Sequence, residues 1–390
     1  MLDVADERAG FCTRILALMG ARVIKIEPPG GGPERRRGPF AGDIPDAEKS
    51  LSFSYRNTNK LGITLDLSQP QGQQLFRKLV KKADVVVETF SLAERKAFSC
   101  AYEELSSLNR RLIHVSVSPF GGRGPRSQYQ SDDLVTAAYS GSMFVNGSPD
   151  TSPLKPGGEQ SHNAGSLFAA LGILLALRQR RKTGRGEHID LSLHEAMTAT
   201  LAHVLIQYFN DQITAKRRGS RSGDNGFCIL PCRDGFIQMT LFQQWETLVG
   251  WLAAEGRAGD LQEEIWQDET YRQLHVEYIT NIIRKWTQSH SVRELFEMGQ
   301  LMGFPWAPVQ SPVEVLENPQ LKARDFFMHL DDQGTEKTIF CHGIPFRFTA
   351  KKLPYLKSAP FLGKDNLLIY RDELGLTDNE LNRLITEGII

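Results

Sequence analysis

The stretch Pro153 to Asp190, PLKPGGEQSHNAGSLFAALGILLALRQRRKTGRGEHID, carries the pattern on which the fold turns. From Ala164 to Leu177 it is small and apolar almost throughout. Such a run is too continuous for an amphipathic surface helix and too short for a bilayer, so it predicts a core helix packed on all sides. The polar run Gly157 to Asn163 reads as a loop that sets Glu159, Ser161 and His162 at the start of that helix. Free amides and the positive dipole end favour an anion there, so this junction is where chemistry is expected. Beyond the helix, Lys182 to Glu187 turns the chain into His188 to Leu193, which alternates like a strand entering a sheet.

Toward the amino end, Leu2-Asp3-Val4 reads as a strand, Phe11 to Met19 as a helix ended by Gly20, and Arg22 to Ile26 as an apolar strand finished by Glu27. The glycines of this strand-helix-strand unit, Gly30 to Gly32, follow the second strand and do not open a helix after the first. The dinucleotide fingerprint is therefore missing, which excludes a nicotinamide enzyme. Pro33 to Pro39 is a basic loop holding Arg35, Arg36 and Arg37 at the carboxyl end of the strand, the side on which open parallel sheets bind ligands. Its position favours a phosphate contact over the other reading, a solvated charge run. A second unit follows: a strand alternating at Ile63, Leu65 and Leu67, a helix from Gln69 to Lys82, and the buried strand Ala83 to Glu88. With a short helix at Tyr102 to Asn109 and a strand at Leu112 to Val117, the pattern predicts a parallel α/β layer covered on both faces.

The remainder reads as a separate lobe. Glu195 to Asn210 is expected as one long helix, and the glycine- and arginine-rich run Lys216 to Gly226 as a mobile loop. Phe227 to Met239 predicts a hairpin turning at Asp234-Gly235. Trp245 to Leu252, Tyr271 to Trp286 and Val292 to Met298 are amphipathic helices whose tryptophans belong to a core. From about Lys322 the chain turns to strands and closes on a helix from Asp378 to Thr386. With 390 residues, 41% of them hydrophobic, the chain is long enough for two lobes, and 46 basic against 46 acidic residues argue against a nucleic-acid binder. Cys12, Cys100, Cys228, Cys232 and Cys341 show neither a disulfide framework nor zinc-ligand spacing, so no metal is expected and a reducing cytoplasm fits best. No signal peptide and no apolar run of membrane length is read, so no membrane partner is expected.

Several motifs in order then resemble one family, the class III CoA-transferases, which includes formyl-CoA transferase, carnitine CoA-transferase and α-methylacyl-CoA racemase. They are Phe11 to Glu27; Asn59-Lys60 with Ile63 to Asp66; Ala83 to Glu88; Ser118 to Pro125; Thr183 to Asp190; Gly303 to Val309; Asn318 to Leu321; Asp325 to Phe327; and the closing Ala359 to Gly363 with Glu373 to Leu376. The resemblance implies a Rossmann-like large CoA-binding domain over 1–200, a smaller α+β domain over 227–325, and a segment over 326–390 that returns to the first. It also implies an interlocked dimer. It places CoA or an acyl-CoA at the first domain, with the arginine of the basic loop, Arg35, and its neighbour Arg36 at the phosphates and Lys60 near the nucleotide. An ordinary lysine at the head of a strand is the other reading of Lys60.

The departure from the family lies in the opening stretch. Transferases of this kind use an aspartate, which the acyl group joins as a mixed anhydride before CoA replaces it. That position here is Ser161, and a shorter spacing counted from Gly172 falls on His162; the nearest carboxylate, Glu159, is two residues early. A serine ester is a poor substitute for an anhydride, because its alkoxide leaves less readily than a carboxylate. Three readings follow. The chain is the aspartate-less partner in a heteromeric enzyme of the succinyl-CoA:benzylsuccinate type, moving CoA between an acyl-CoA and a small carboxylic acid, and this is the one favoured. Alternatively, Glu159 or His162 does acid-base work in an isomerase or racemase. The third reading is a CoA-binding protein without catalysis. Asp132-Asp133 falls where racemases hold a His-Asp pair, and a helix N-cap accounts for it more simply.

Overall fold

The computed structural model describes residues 1–222, 226–330, 339–350 and 355–390. They divide into two compact units: Met1–Met143 with Lys155–Ile213 and Lys322–Ile390, and Phe144–Leu154 with Thr214–Leu321. In the first unit the chain runs β1 (Leu2–Val4), α1 (Gly10–Leu18), β2 (Ile24–Glu27), α2 (Leu51–Arg56), β3 (Leu61–Thr64), α3 (Pro70–Lys82) and β4 (Val85–Glu88). It continues through α4 (Leu92–Ala97), α5 (Tyr102–Leu108), β5 (Ile113–Ser118), α6 (Asp133–Tyr139), α7 (Gln160–Thr183) and β6 (Glu187–Ser192). All six strands are parallel, in the order β3-β2-β1-β4-β5-β6. This is the doubly wound order of the Rossmann fold, and its direction reverses between β1 and β4. Strands this short and this apolar, such as Val85-Val86-Val87, are stable only with both faces covered. One face packs Leu75, Phe76 and Leu79 of α3; the other packs Ala169, Ala170, Ile173 and Ala176 of α7.

The helix α7 departs from expectation at both ends and on one side. It begins at Gln160, so Ser161 and His162 lie in its first turn and not in a loop, and it runs to Thr183, where Gly184 closes it with a left-handed φ of 70°. Only its small-residue face is buried. Leu167, Phe168, Leu171, Leu174 and Leu175 are 43% to 56% exposed, one apolar stripe at helical spacing that the described residues leave uncovered. The expected long helix at Glu195 to Asn210 is two, Leu193–Ala199 and Ala202–Asp211. The break falls where the Thr200 hydroxyl donates to the Met197 carbonyl at 2.6 Å, a side-chain bond that competes with the helix ladder.

The second unit holds an antiparallel sheet of Arg221–Ser222, Phe227–Pro231, Phe236–Thr240 and Ala307–Pro308, with the hairpin turn where the sequence placed it. Trp245, Leu248, Ile279, Ile283, Trp286 and Trp306 form its core. Of the run expected as a mobile loop, Arg221 and Ser222 pair as a strand, while Gly223, Asp224 and Asn225 lie outside the described residues, as do 331–338 in the strand-forming segment near the carboxyl end. Among the described residues no helix is long and apolar enough to cross a membrane.

The carboxyl-terminal segment finishes the edge of the first sheet. Strand β3 would present unpaired amides, an invitation to pair with another chain. Here Asp365 accepts from the Gly62 amide at 2.7 Å and Asn366 from the Thr64 amide at 2.9 Å, while the Tyr370 hydroxyl donates to the Thr64 carbonyl at 2.7 Å. The approach is so close that a Cβ on Gly62 would stand 2.6 Å from Pro360. Gly62→Val is therefore expected to push this segment off the edge and to cost about 1–3 kcal/mol, read as a lower urea midpoint than the unaltered chain shows.

Candidate functional site

Reversal of strand order between β1 and β4 opens a crevice beyond their carboxyl ends, the place where open α/β sheets bind ligands. A cavity of about 280 Å³ lies there, lined among others by Asp6, Arg8, Lys25, Thr89, Phe90 and Glu94. Arg8 spans the crevice: its guanidinium meets Asp6 at 2.6 Å and donates to the Thr89 carbonyl at 2.7 Å. Burial works against ionising Asp6, but the hydrogen bonds and charge of Arg8 hold its carboxyl below the usual value.

Two residues expected to touch CoA prove to be internal. Arg35 is 1% exposed: it forks onto Glu27 with Nε 2.9 Å from Oε1, reaches Glu48 at 2.7 Å and the Pro360 carbonyl at 2.9 Å, and lies over the Phe53 ring. Lys60, with no exposed side-chain surface, is held by Asp3 and Asn57, each at 2.8 Å. Burial opposes the Asp3 charge, yet Lys60 and Lys25 keep its carboxyl below its ordinary value. Both cations are engaged by partners within the scaffold, which compensate their burial. Arg36 is exposed and meets no partner among the described residues; Arg37 is half-exposed and pairs with Glu7 at 2.7 Å.

The first turn of α7 gathers the rest. Ser161 is fully buried, and Asp133 of α6 accepts from both its hydroxyl, at 2.6 Å, and its amide, at 3.0 Å. The other oxygen of Asp133 meets Lys155 at 2.6 Å. Asp132 is the N-cap of α6, accepting from the Val135 amide, which leaves Asp133 free to turn inward. Glu159, just before the helix, is gripped by Arg56 and lies 3.9 Å from Arg37 and 3.7 Å from His162 Nδ1. The neighbouring His162, then Arg56 and Arg37, outweigh partial burial and hold the Glu159 carboxyl at about 2. His162 itself is 4% exposed, with no hydrogen-bond partner on either ring nitrogen. Glu159, Ser161 and His162 are thus brought together, as the sequence placed them. The roles of Asp133, Lys155, Arg56 and Arg8 were missed; the doubled Asp132-Asp133, of which a helix needs only one as a cap, was the available signal for the first. Among the described residues no three His, Cys, Asp or Glu side chains gather to hold a metal ion.

The chain is similar to proteins of known activity over its whole length. It is 30% identical to the Succinyl-CoA:(R)-benzylsuccinate CoA-transferase subunit BbsE of Thauera aromatica, an alignment covering 100% of this chain and 97% of the relative. It is 30% identical to the Succinyl-CoA:mesaconate CoA-transferase of Haloarcula hispanica, over 90% of this chain and 89% of that one. Its fold matches the crystal structure of a CAIB/BAIF family protein from Brucella suis with a TM-score of 0.83 at 27% identity, covering 95% of this chain and 97% of the other. The model of CoA-transferase family III matches residues 3–366. With those 364 consecutive positions matched and CoA thioesters as the family's substrates, this chain belongs to CoA-transferase family III and is a CoA-transferase.

Proposed function

We propose that this chain is the subunit of a heteromeric CoA-transferase that lacks the nucleophile, working with a related chain that supplies the aspartate. The reaction moves CoA from an acyl-CoA donor such as succinyl-CoA to a small carboxylic acid. The observation that carries this reading is the state of Ser161. Of the two residues that the resemblance sets at the family's aspartate position, Ser161 is a hydroxyl with no exposed surface, already donating to Asp133, whose second oxygen is engaged by Lys155, and His162 is a buried imidazole; neither is a carboxylate. An aspartate there would attack the thioester carbon and expel CoA thiolate, giving a mixed anhydride that the thiolate then cleaves to an enzyme thioester and free acid. The incoming acid reverses the sequence. Ser161 offers no carboxylate for the anhydride, and Glu159, held ionised by its cationic neighbours, is a poor proton donor for the isomerase alternative. The relative from Thauera aromatica is itself named a subunit, which supports a division of labour.

The CoA end of the donor is assigned to the crevice at the β1/β4 reversal, with Arg8 inside it and Arg36 exposed on the neighbouring turn; guanidinium groups suit phosphates through paired, charge-assisted bonds. The second chain is assigned to the apolar stripe of α7, in an interlocked homo- or heterodimer, since five large exposed side chains in one row are an interaction surface more readily than a solvated one. Placement in the cytoplasm accords with the unpaired thiols of all five cysteines.

Exchange assays test the division of labour. Purified chain with succinyl-CoA and a panel of carboxylic acids, aryl-succinates among them, is expected to be silent alone and active with an aspartate-bearing relative; turnover by the chain alone sinks the reading. For the interface, Leu171→Glu places a charge in the middle of the stripe and is expected to shift the mass measured by light scattering from dimer to monomer. An unchanged mass would show that the stripe is not the interface.

A further inference from the structure

The amino end of α7 holds a carboxylate that the fold does not need in order to cap the helix. Glu159 occupies the N-cap position, yet its side chain makes no capping bond to the helix amides. It turns instead into a cluster of cations. Arg56, whose side chain is 12% exposed, also donates to Ser52 Oγ, and Glu159 is its one carboxylate partner among the described residues. Arg37 reaches the other oxygen at 3.9 Å while keeping Glu7 at 2.7 Å. His162, in the first turn, is buried with neither ring nitrogen hydrogen-bonded, and Nδ1 points at the same carboxylate from 3.7 Å.

Two guanidinium groups, an imidazole and the positive end of a 24-residue helix therefore converge on one anionic position. Guanidinium groups recognise carboxylates through charge-assisted bonds, here Arg56 by direct contact and Arg37 at longer range. The occupant is open to solvent. The Glu159 side chain is 33% exposed, and it follows Gly157 and Gly158, which carry no side chains to cover it. Were Glu159 to leave, Glu7 would still balance Arg37, but Arg56 would stand nearly buried without an anion, a state that a carboxylate from solution relieves.

We propose that the amino end of α7 is a carboxylate-binding site, formed by Arg56, Arg37 and His162, which the chain fills with its own Glu159 and which a small carboxylic acid enters by taking that side chain's place. The ligand class is a short aliphatic or aromatic acid, bound through its carboxylate. The site does not depend on which chain supplies the nucleophile, so it stands or falls apart from the subunit reading.

Acetate is the probe, and the full-length chain the subject. Glu159→Ala is expected to unfold at a lower temperature than the unaltered chain in chloride, and to recover part of that loss in acetate at matched ionic strength, because a ligand that binds only the folded state stabilises it. Calorimetric titration is expected to give acetate affinity about tenfold higher for Glu159→Ala than for the unaltered chain, whose site is self-occupied. Adding Arg56→Ala is expected to abolish the rescue. If Glu159→Ala does not fold, Glu159→Gln, which keeps the shape and removes the charge, carries the same expectation of tighter acetate binding. Equal affinity in the variant and the unaltered chain overturns the proposal, and so does rescue by chloride as good as that by acetate, or rescue that persists without Arg56.

Discussion

The ammonium of Lys60, sealed beneath the carboxyl end of β1, is the contact on which the arrangement of the first unit depends. It meets Asp3 of β1 and Asn57 at the end of α2 at 2.8 Å each, and the Gly10 carbonyl at the start of α1 at 3.2 Å. Asp3 in turn accepts from Thr13 at 2.6 Å and from the Ala5 amide at 3.1 Å. One charge thus joins a strand, the turn leaving it, and two helices. Beside it, Lys25 of β2 pairs with Glu34 at 2.7 Å, and Glu27 receives Arg35. Removing one member of such a buried pair costs about 3–5 kcal/mol, because its partner is left charged and dry. The strand ends are therefore pinned before any ligand arrives. The crevice at the β1/β4 reversal is a consequence of topology, and its polar floor is a consequence of this ladder.

The same ladder explains what the sequence disclosed and what it withheld. Period-two and period-3.6 patterns located the strands and helices of the first sheet, and the misplaced glycines correctly removed the dinucleotide fingerprint, because both signals are local. Burial of charge is not local. Nothing in Pro33 to Arg37 shows that Arg35 turns inward to Glu27 while Arg36 faces water; the choice is made by Phe53, Glu48 and Pro360, far along the chain. The burial of Lys60 against Asp3, in β1, is likewise invisible locally. The apolar run of α7 predicts burial on every side, and the pattern does not show which side is left uncovered among the described residues. At the first turn the sequence grouped Glu159, Ser161 and His162 correctly, since residues one turn apart must be neighbours, but Arg56 and Lys155 enter only through the tertiary fold.

Within the first unit the scaffold and the first turn of α7 are held by separate sets of bonds. Ser161 answers to Asp133 and Lys155, on α6 and in the approach to α7; the crevice answers to Asp3, Lys25, Lys60, Glu27 and Arg35. No side chain belongs to both. An exchange at position 161 between carboxylate and hydroxyl therefore leaves the ladder, the strand ends and the crevice as they are, which is the physical condition for a chain to keep a CoA-binding fold without a nucleophile of its own.

What the exchange does change is the electrostatics of the α7 terminus. Asp133 lies 2.6 Å from the Ser161 hydroxyl, so a carboxylate at position 161 would face a second carboxylate and lose the hydrogen bond that the hydroxyl donates. With serine in place, Asp133 accepts from the Ser161 hydroxyl and pairs with Lys155. The Asp133–Ser161 pair ties the first turn of α7 to the start of α6 through two hydrogen bonds, one from the hydroxyl and one from the amide.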